Sequence, residues 1–168
     1  MLRLLDLRML LVPLGLTLVP ASSLGRLGDS EQALAERFGS AVSSQPEKLV
    51  AGGRFVEFGR FVRFRQGDWS ITCSIVQGRS AQESYRKSGH WTSDQILAVL
   101  NANAQGARWS EVSRPSVAKM AREWRRDDGG AARWQQGVGI TVTHPACERA
   151  KAVARAKAEA EAARVPRL

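Results

Sequence analysis

The chain holds two histidines, His90 and His144, and two cysteines, Cys73 and Cys147. A structural zinc site needs four ligands and a catalytic one about three. Neither set is visible around the two histidines, so neither a metal nor any other cofactor is expected. His144 precedes Pro145 and reads as a surface turn residue, and His90 beside Trp91 reads as packing near a helix start. A nucleophilic thiolate needs exposure and a positive neighbour. Cys73 instead belongs to the apolar series Trp69, Ile71, Cys73, Ile75, which points inward. Asp127-Asp128-Gly129-Gly130 is first of all a turn, and it is too short for a calcium loop, which spreads its ligands over about twelve residues. The chain has no G-x-S-x-G elbow, no S-x-x-K with its companion motifs, no H-E-x-x-H pair and no phosphate loop ending in G-K-[ST]. No catalytic residue is therefore expected. One cluster remains: Arg54, Arg60, Arg63 and Arg65 interleave with Phe55, Phe58, Phe61 and Phe64. On an exposed sheet such a pattern could stack bases or hold an acidic partner. The aromatics are expected in the core and the arginines in solvent, which makes these four arginines the candidate binding surface.

The elements that must carry these residues follow from periodicity. Asp29 or Ser30 can cap a helix through Phe38 that Gly39 ends. Residues 40–53, rich in Ser and Gly and containing Pro46, read as a connection. From Phe55 to Phe64 apolar residues alternate, Gln66-Gly67-Asp68 turns, Trp69 to Ile75 alternate again, and Gln77-Gly78 leads into a strand over Arg79–Arg86 with Ala81 and Tyr85 on its inner face. This is an antiparallel meander. Thr92 and Gln95 have capping-box spacing ahead of a helix bearing Ile96, Val99 and Leu100. Trp109 to Ser116 reads as irregular, and Lys119–Arg126 and Ala131–Thr143 read as two further strands. Trp124 and Trp134 are expected in the core. Ala146 to Ala163 is built almost wholly of Ala, Lys, Arg and Glu, strong helix formers without a wide apolar stripe. The expected fold is α+β: an antiparallel sheet of about five strands packed against helices, with a charged C-terminal helix. The expected layout is a signal peptide at 1–23, one α+β domain at 24–145 and the helix at 146–168.

The signal assignment rests on Arg3 and Arg8, the apolar run Met9–Val19 interrupted by Pro13, and the small residues Ala21, Ser22 and Ser23. The apolar run is shorter than the roughly 18–20 residues of a bilayer-crossing helix, so cleavage is expected, no membrane span is expected in the mature chain, and the product is periplasmic or secreted. Removing Arg3, Asp6 and Arg8 lowers the formal charge from +9 to +8. That excess favours anionic partners, and export disfavours nucleic acid among them. An oxidising compartment makes Cys73 and Cys147 a candidate disulfide, subject to their approach in space.

From Phe61 to Trp109 the order is strand, Gly turn, Trp-Ser-Ile-Thr-Cys-Ser-Ile, Gln-Gly turn, a strand ending Ser-Tyr-Arg-Lys, then Trp-Thr-Ser-Asp-Gln-Ile-Leu, Leu100-Asn101-Ala102-Asn103 and Gly-x-x-Trp. This resembles small exported bacterial proteins built from a helix and a β-meander, and more distantly is similar to the periplasmic domains of outer-membrane assembly lipoproteins. The lipoprotein attachment cysteine is missing after the apolar run. The resemblance implies fold rather than role and carries no active-site residue. The expected function is a non-catalytic exported domain that binds an envelope protein or an anionic surface or polymer. The alternative is a small secreted hydrolase whose residues leave no motif.

Overall fold

The structure is a computed structural model and describes residues 26–112 and 120–164. The expected signal peptide at 1–23 lies outside the described residues. The protein is α+β, with helices α1 (Glu31–Phe38), α2 (Ser93–Ala102) and α3 (Pro145–Ala163) and strands β1 (Ser43–Ala51), β2 (Arg54–Gln66), β3 (Trp69–Val76), β4 (Arg79–Lys87), β5 (Trp109–Glu111), β6 (Ala121–Arg126), β7 (Ala131–Gln135) and β8 (Gly139–Thr143). All eight strands join one sheet in the order β1-β2-β3-β4-β8-β7-β6-β5, and every pairing is antiparallel. The topology therefore repeats: a helix and a four-strand meander (α1 to β4), then a helix and a four-strand meander (α2 to β8). The two last strands meet at the centre of the sheet, where Gln82 faces Thr143 and Tyr85 faces Ile140.

Local chemistry sets the two short helices. Ser30 caps α1 by accepting from the Ala33 N–H at 3.2 Å, and Gly39 ends it at φ +84°. The capping box of α2 is complete, with the Gln95 N–H donating to Thr92 Oγ1 at 3.2 Å and the Thr92 N–H donating to Gln95 Oε1 at 3.1 Å. Both helices lie on one face of the sheet. Leu34 and Phe38 from α1 and Ile96, Val99 and Leu100 from α2 close over Val62, Phe64, Ile71, Cys73, Tyr85, Ile140 and Val142, with Trp124 and Trp134 in the same core. Each of these larger apolar side chains contributes about 1.5–3 kcal/mol by leaving water.

The sheet has eight strands where about five were expected. Residues 43–51 are strand β1 rather than a connection, and Trp109–Glu111 is strand β5 rather than irregular chain. Both lie at the sheet's edges. An edge strand has one hydrogen-bonding neighbour and tolerates a residue without an N–H, so Pro46 fits opposite Arg60. The stretch Ala131–Thr143 is two strands, folded back at Gly137 (φ +75°). Val138 accordingly stands exposed in the turn while Ile140 and Val142 are buried.

Two bulges break the alternation. One lies between Glu47 and Lys48 opposite β2, so Phe58 turns toward α3 while Val62 and Phe64 face α1 and α2. The other separates Ser74 from Ile75 opposite β4. Ala81 and Tyr85 are both buried, but Ala81 packs with Cys147 on the α3 side and Tyr85 packs on the other.

α3 crosses the second face of the sheet. His144 is its N-cap, its Nδ1 accepting from the Ala146 N–H at 3.2 Å, and Pro145 opens the first turn. Burial first, and then the nearby Arg126, push the His144 imidazole below its ordinary value. The neutral ring that can accept is thus the favoured form. The stability this contributes is present above the unfolded value near 6.5 and is lost as pH falls through the lowered folded value. His144→Ala should cost about 1 kcal/mol at pH 7.5 and flatten the acid limb of a urea-midpoint profile. His144→Ser should restore most of the stability without restoring the acid dependence, and an unchanged acid limb in His144→Ala would refute the cap.

Candidate anion-binding face

α3 covers only one end of the second face. Its first turns put Cys147 and Ala150 against Val76, Ala81 and Phe58, and Lys151 Nζ lies 5.7 Å over the Phe58 ring. Its last turns reach the β1–β2 hairpin, where Glu161 pairs with Arg54. A side chain at Gly52 would meet the Ala158 carbonyl oxygen at 2.8 Å, so the helix docks there directly on backbone. The helix thus runs across the strands from the end of β8 to the end of β1.

Beside it the sheet is open, and register fixes what it presents. One cross-strand row is Ser43, Arg63, Thr72, Ser84, Thr141, Arg133 and Glu123. A second is Arg65, Ser70 and Arg86. Ser84 Oγ and Thr141 Oγ1 lie 2.9 Å apart across the central β4–β8 seam. Arg63, Arg65 and Arg86 are exposed and have no carboxylate partner among the described residues. A shallow recess of about 310 Å³ lies between Phe61, Arg63, Thr72, Gln82, Ser84 and Arg86. On the other side of the seam a second, of about 280 Å³, lies between Arg125, Ala131, Arg133, Thr141 and Thr143. Arg133 is shared with Glu123 at 3.6 Å, both well exposed.

The four arginines singled out from sequence separate into two groups. Arg63 and Arg65 stand on the open face. Arg60 pairs with Glu31 of α1 on the opposite face, and Arg54 pairs with Glu161 of α3. Arg86 joins Arg63 and Arg65 and was missed. Alternation past Tyr85 could have turned it outward, but only the register of Arg65, Ser70 and Arg86 shows that they are neighbours.

The cysteines and two of the carboxylates are buried. Cys73 and Cys147 are free thiols. They do not pair because Cys73 lies under α1 and α2 while Cys147 lies under α3, on opposite faces of the sheet. Burial raises both thiols above their ordinary value. Glu47, beneath α3, accepts from Ser74 Oγ and is also raised by burial. Glu83 is fully enclosed on the other face, accepting from Tyr85 Oη and, at 2.7 Å, from Ser80 Oγ. Asn103 ties this region to the chain start, accepting from the Leu27 N–H at 2.8 Å. Asp128, in the expected turn, holds Arg126 with two hydrogen bonds of 2.7 Å, and the same guanidinium donates to the Asn103 carbonyl. His90 is exposed. Among the described residues no three His, Cys, Asp or Glu side chains gather as metal ligands, and no helix is long and apolar enough to cross a membrane.

What the open face offers is fixed positive charge above a floor of hydroxyls and amides. Guanidinium donors recognise carboxylate, sulfate and phosphate through paired N–H groups. Comparison with known proteins gives no match of this chain to a family model, a curated protein or a solved structure.

Proposed function

We propose that the chain is an exported, non-catalytic binding domain that engages an anionic partner through the uncovered half of its second sheet face. The observation that carries this reading is the set of unpaired guanidiniums of Arg63, Arg65 and Arg86 beside Ser70, Thr72 and Ser84. A sheet face facing solvent usually mixes charges of both signs. Among the described residues the register places Arg63, Arg65, Arg86, Arg125 and Arg133 against the single carboxylate of Glu123.

The test compares two variants of equal charge. Arg63→Gln with Arg86→Gln removes two open guanidiniums, whereas Arg54→Gln with Arg60→Gln removes two that are already paired. Hydrogen bonds to charged groups are worth about 1.5–3 kcal/mol. The first variant should therefore lose at least about tenfold in affinity for a sulfated or carboxylated polymer at 0.15 M salt, and the second less than about threefold. Equal losses would mean that net charge alone is responsible and would overturn the assignment to this face.

A further inference from the structure

We infer that the partner is a single strand of acidic polysaccharide lying across the β-strands alongside α3, a conclusion that rests on the anion-binding reading above. The charged region is elongated. The two recesses lie side by side, one over β1–β4 and one over β6–β8, and touch at the Ser84–Thr141 pair on the central seam. From Arg63 on β2 to Arg133 on β7 there are four strand steps, roughly 19 Å at about 4.8 Å per step. Charge and hydrogen-bonding groups are thus strung along a line perpendicular to the strands. A lone small anion would need only one recess.

α3 then selects among long or extended anionic partners. Its 19 residues run roughly 28 Å in the same direction as the line of recesses, from the end of β8 to the β1–β2 hairpin. A helix with its side chains is about 10–12 Å across, so α3 stands above the sheet floor by more than an arginine side chain extends. A flat bilayer approaching this face meets α3 before it meets Ser70, Thr72 or Ser84. A slender chain can lie on the ledge beside the helix.

The floor decides between slender polyanions. Single-stranded nucleic acid sites interleave positive charge with aromatic platforms for the bases. Among the described residues two aromatics line this ledge, the half-buried Phe61 and Trp124, and Trp124 belongs to the core on the opposite face, so neither offers an open ring for stacking. Between the arginines the lining is mostly hydroxyl and amide, from Ser43, Thr72, Gln82, Ser84, Thr141 and Thr143, with Ala131 and Ala132 between them. Those groups match sugar hydroxyls, while the arginines match carboxylate or sulfate substituents. The recurring topology places such groups on both sides of the seam, as a repeating ligand requires.

The experiment titrates the full chain with oligogalacturonates of increasing length, with phosphatidylglycerol vesicles, and with a single-stranded oligonucleotide of matched charge. Affinity for the oligogalacturonates should rise at least tenfold between the monomer and an oligomer long enough to reach from Arg63 to Arg133, then level off. Arg133→Gln should abolish the gain with length, and Arg63→Gln with Arg86→Gln should weaken every oligomer. Affinity independent of length would overturn the extended site while leaving a single anion recess. Equal or tighter binding of vesicles would identify a membrane surface, and of the oligonucleotide a nucleic acid, in place of the polysaccharide. Failure of every anionic probe to bind would remove the anion-binding reading together with this one.

Discussion

Gly139→Ala should destabilise the protein by at least about 3 kcal/mol, a large share of the 5–15 kcal/mol typical of a domain. Two independent effects act at this residue. Its φ is +125°, a region open essentially to glycine, and a Cβ built there would lie 2.1 Å from the Tyr85 carbonyl oxygen and 3.2 Å from its carbon. Backbone strain of this kind costs about 1–3 kcal/mol. The contact adds to it, because a backbone carbonyl at the centre of a sheet cannot swing aside as a long side chain can. Gly139 opens β8, and Tyr85 lies on β4 opposite Ile140, so any shift must part the seam between the two meanders. Gly137→Ala is the control. It too has positive φ, but a Cβ there meets nothing within 4 Å, and its cost should stay near 1 kcal/mol. Urea unfolding of both variants measures the difference. A Gly139→Ala variant within about 0.5 kcal/mol of the parent would mean that β4 and β8 do not meet in this register.

That seam also marks where sequence reasoning stopped. Elements specified by their own residues were legible: the Ser30 cap and Gly39 stop of α1, the Thr92–Gln95 box of α2, the β2–β3–β4 meander and the alanine-rich helix. Elements specified by a partner were not. β1 is polar and contains Pro46 because an edge strand buries little, so its sequence reads as a connection. β5 is three residues long and has no period to detect. The bulges at Glu47/Lys48 and Ser74/Ile75 send consecutive members of one apolar series to opposite faces, and no composition signals that switch. Gly59 does mark the first bulge, since a Cβ there would meet the Ile75 carbonyl oxygen at 2.7 Å. The candidate site was half legible for the same reason. Alternation was enough to turn Arg63 and Arg65 outward, but Arg54 and Arg60 acquire carboxylate partners from helices that are distant in sequence, and Arg86 becomes a neighbour only through the sheet.

Glu83 shows how far such partnering departs from local expectation, and it sets the second large effect. Its carboxyl has no solvent contact, and burial pushes its pKa up to about 7. The hydroxyls of Tyr85 and Ser80 and the nearby Arg37 oppose the rise, and Asp29 adds to it. In the unfolded chain the same group titrates near 4.5. Between those values the folded state holds a proton that the unfolded state has released, so stability falls as pH rises across the window. The sign is opposite to that of His144, whose contribution is lost on acidification. A shift of this size corresponds to a fall on the order of 3 kcal/mol between about pH 4.5 and pH 7. Glu83→Gln should remove the fall, leaving the urea midpoint nearly flat over that range once the His144 limb is subtracted, and should make the variant more stable than the parent at pH 8. The amide keeps one acceptor for Tyr85 or Ser80, and the other hydroxyl can rotate to accept from its NH₂ group. Glu83→Leu should be flat in pH as well but less stable throughout, because the hydroxyls of Tyr85 and Ser80 lose the acceptor they now share. A Glu83→Gln profile that still fell with rising pH would show that Glu83 is ionised at little cost in the folded state. The polar cluster linking Ser80, Tyr85 and Asn103 would then have to be solvated, and the core beneath α1 could not be closed as described.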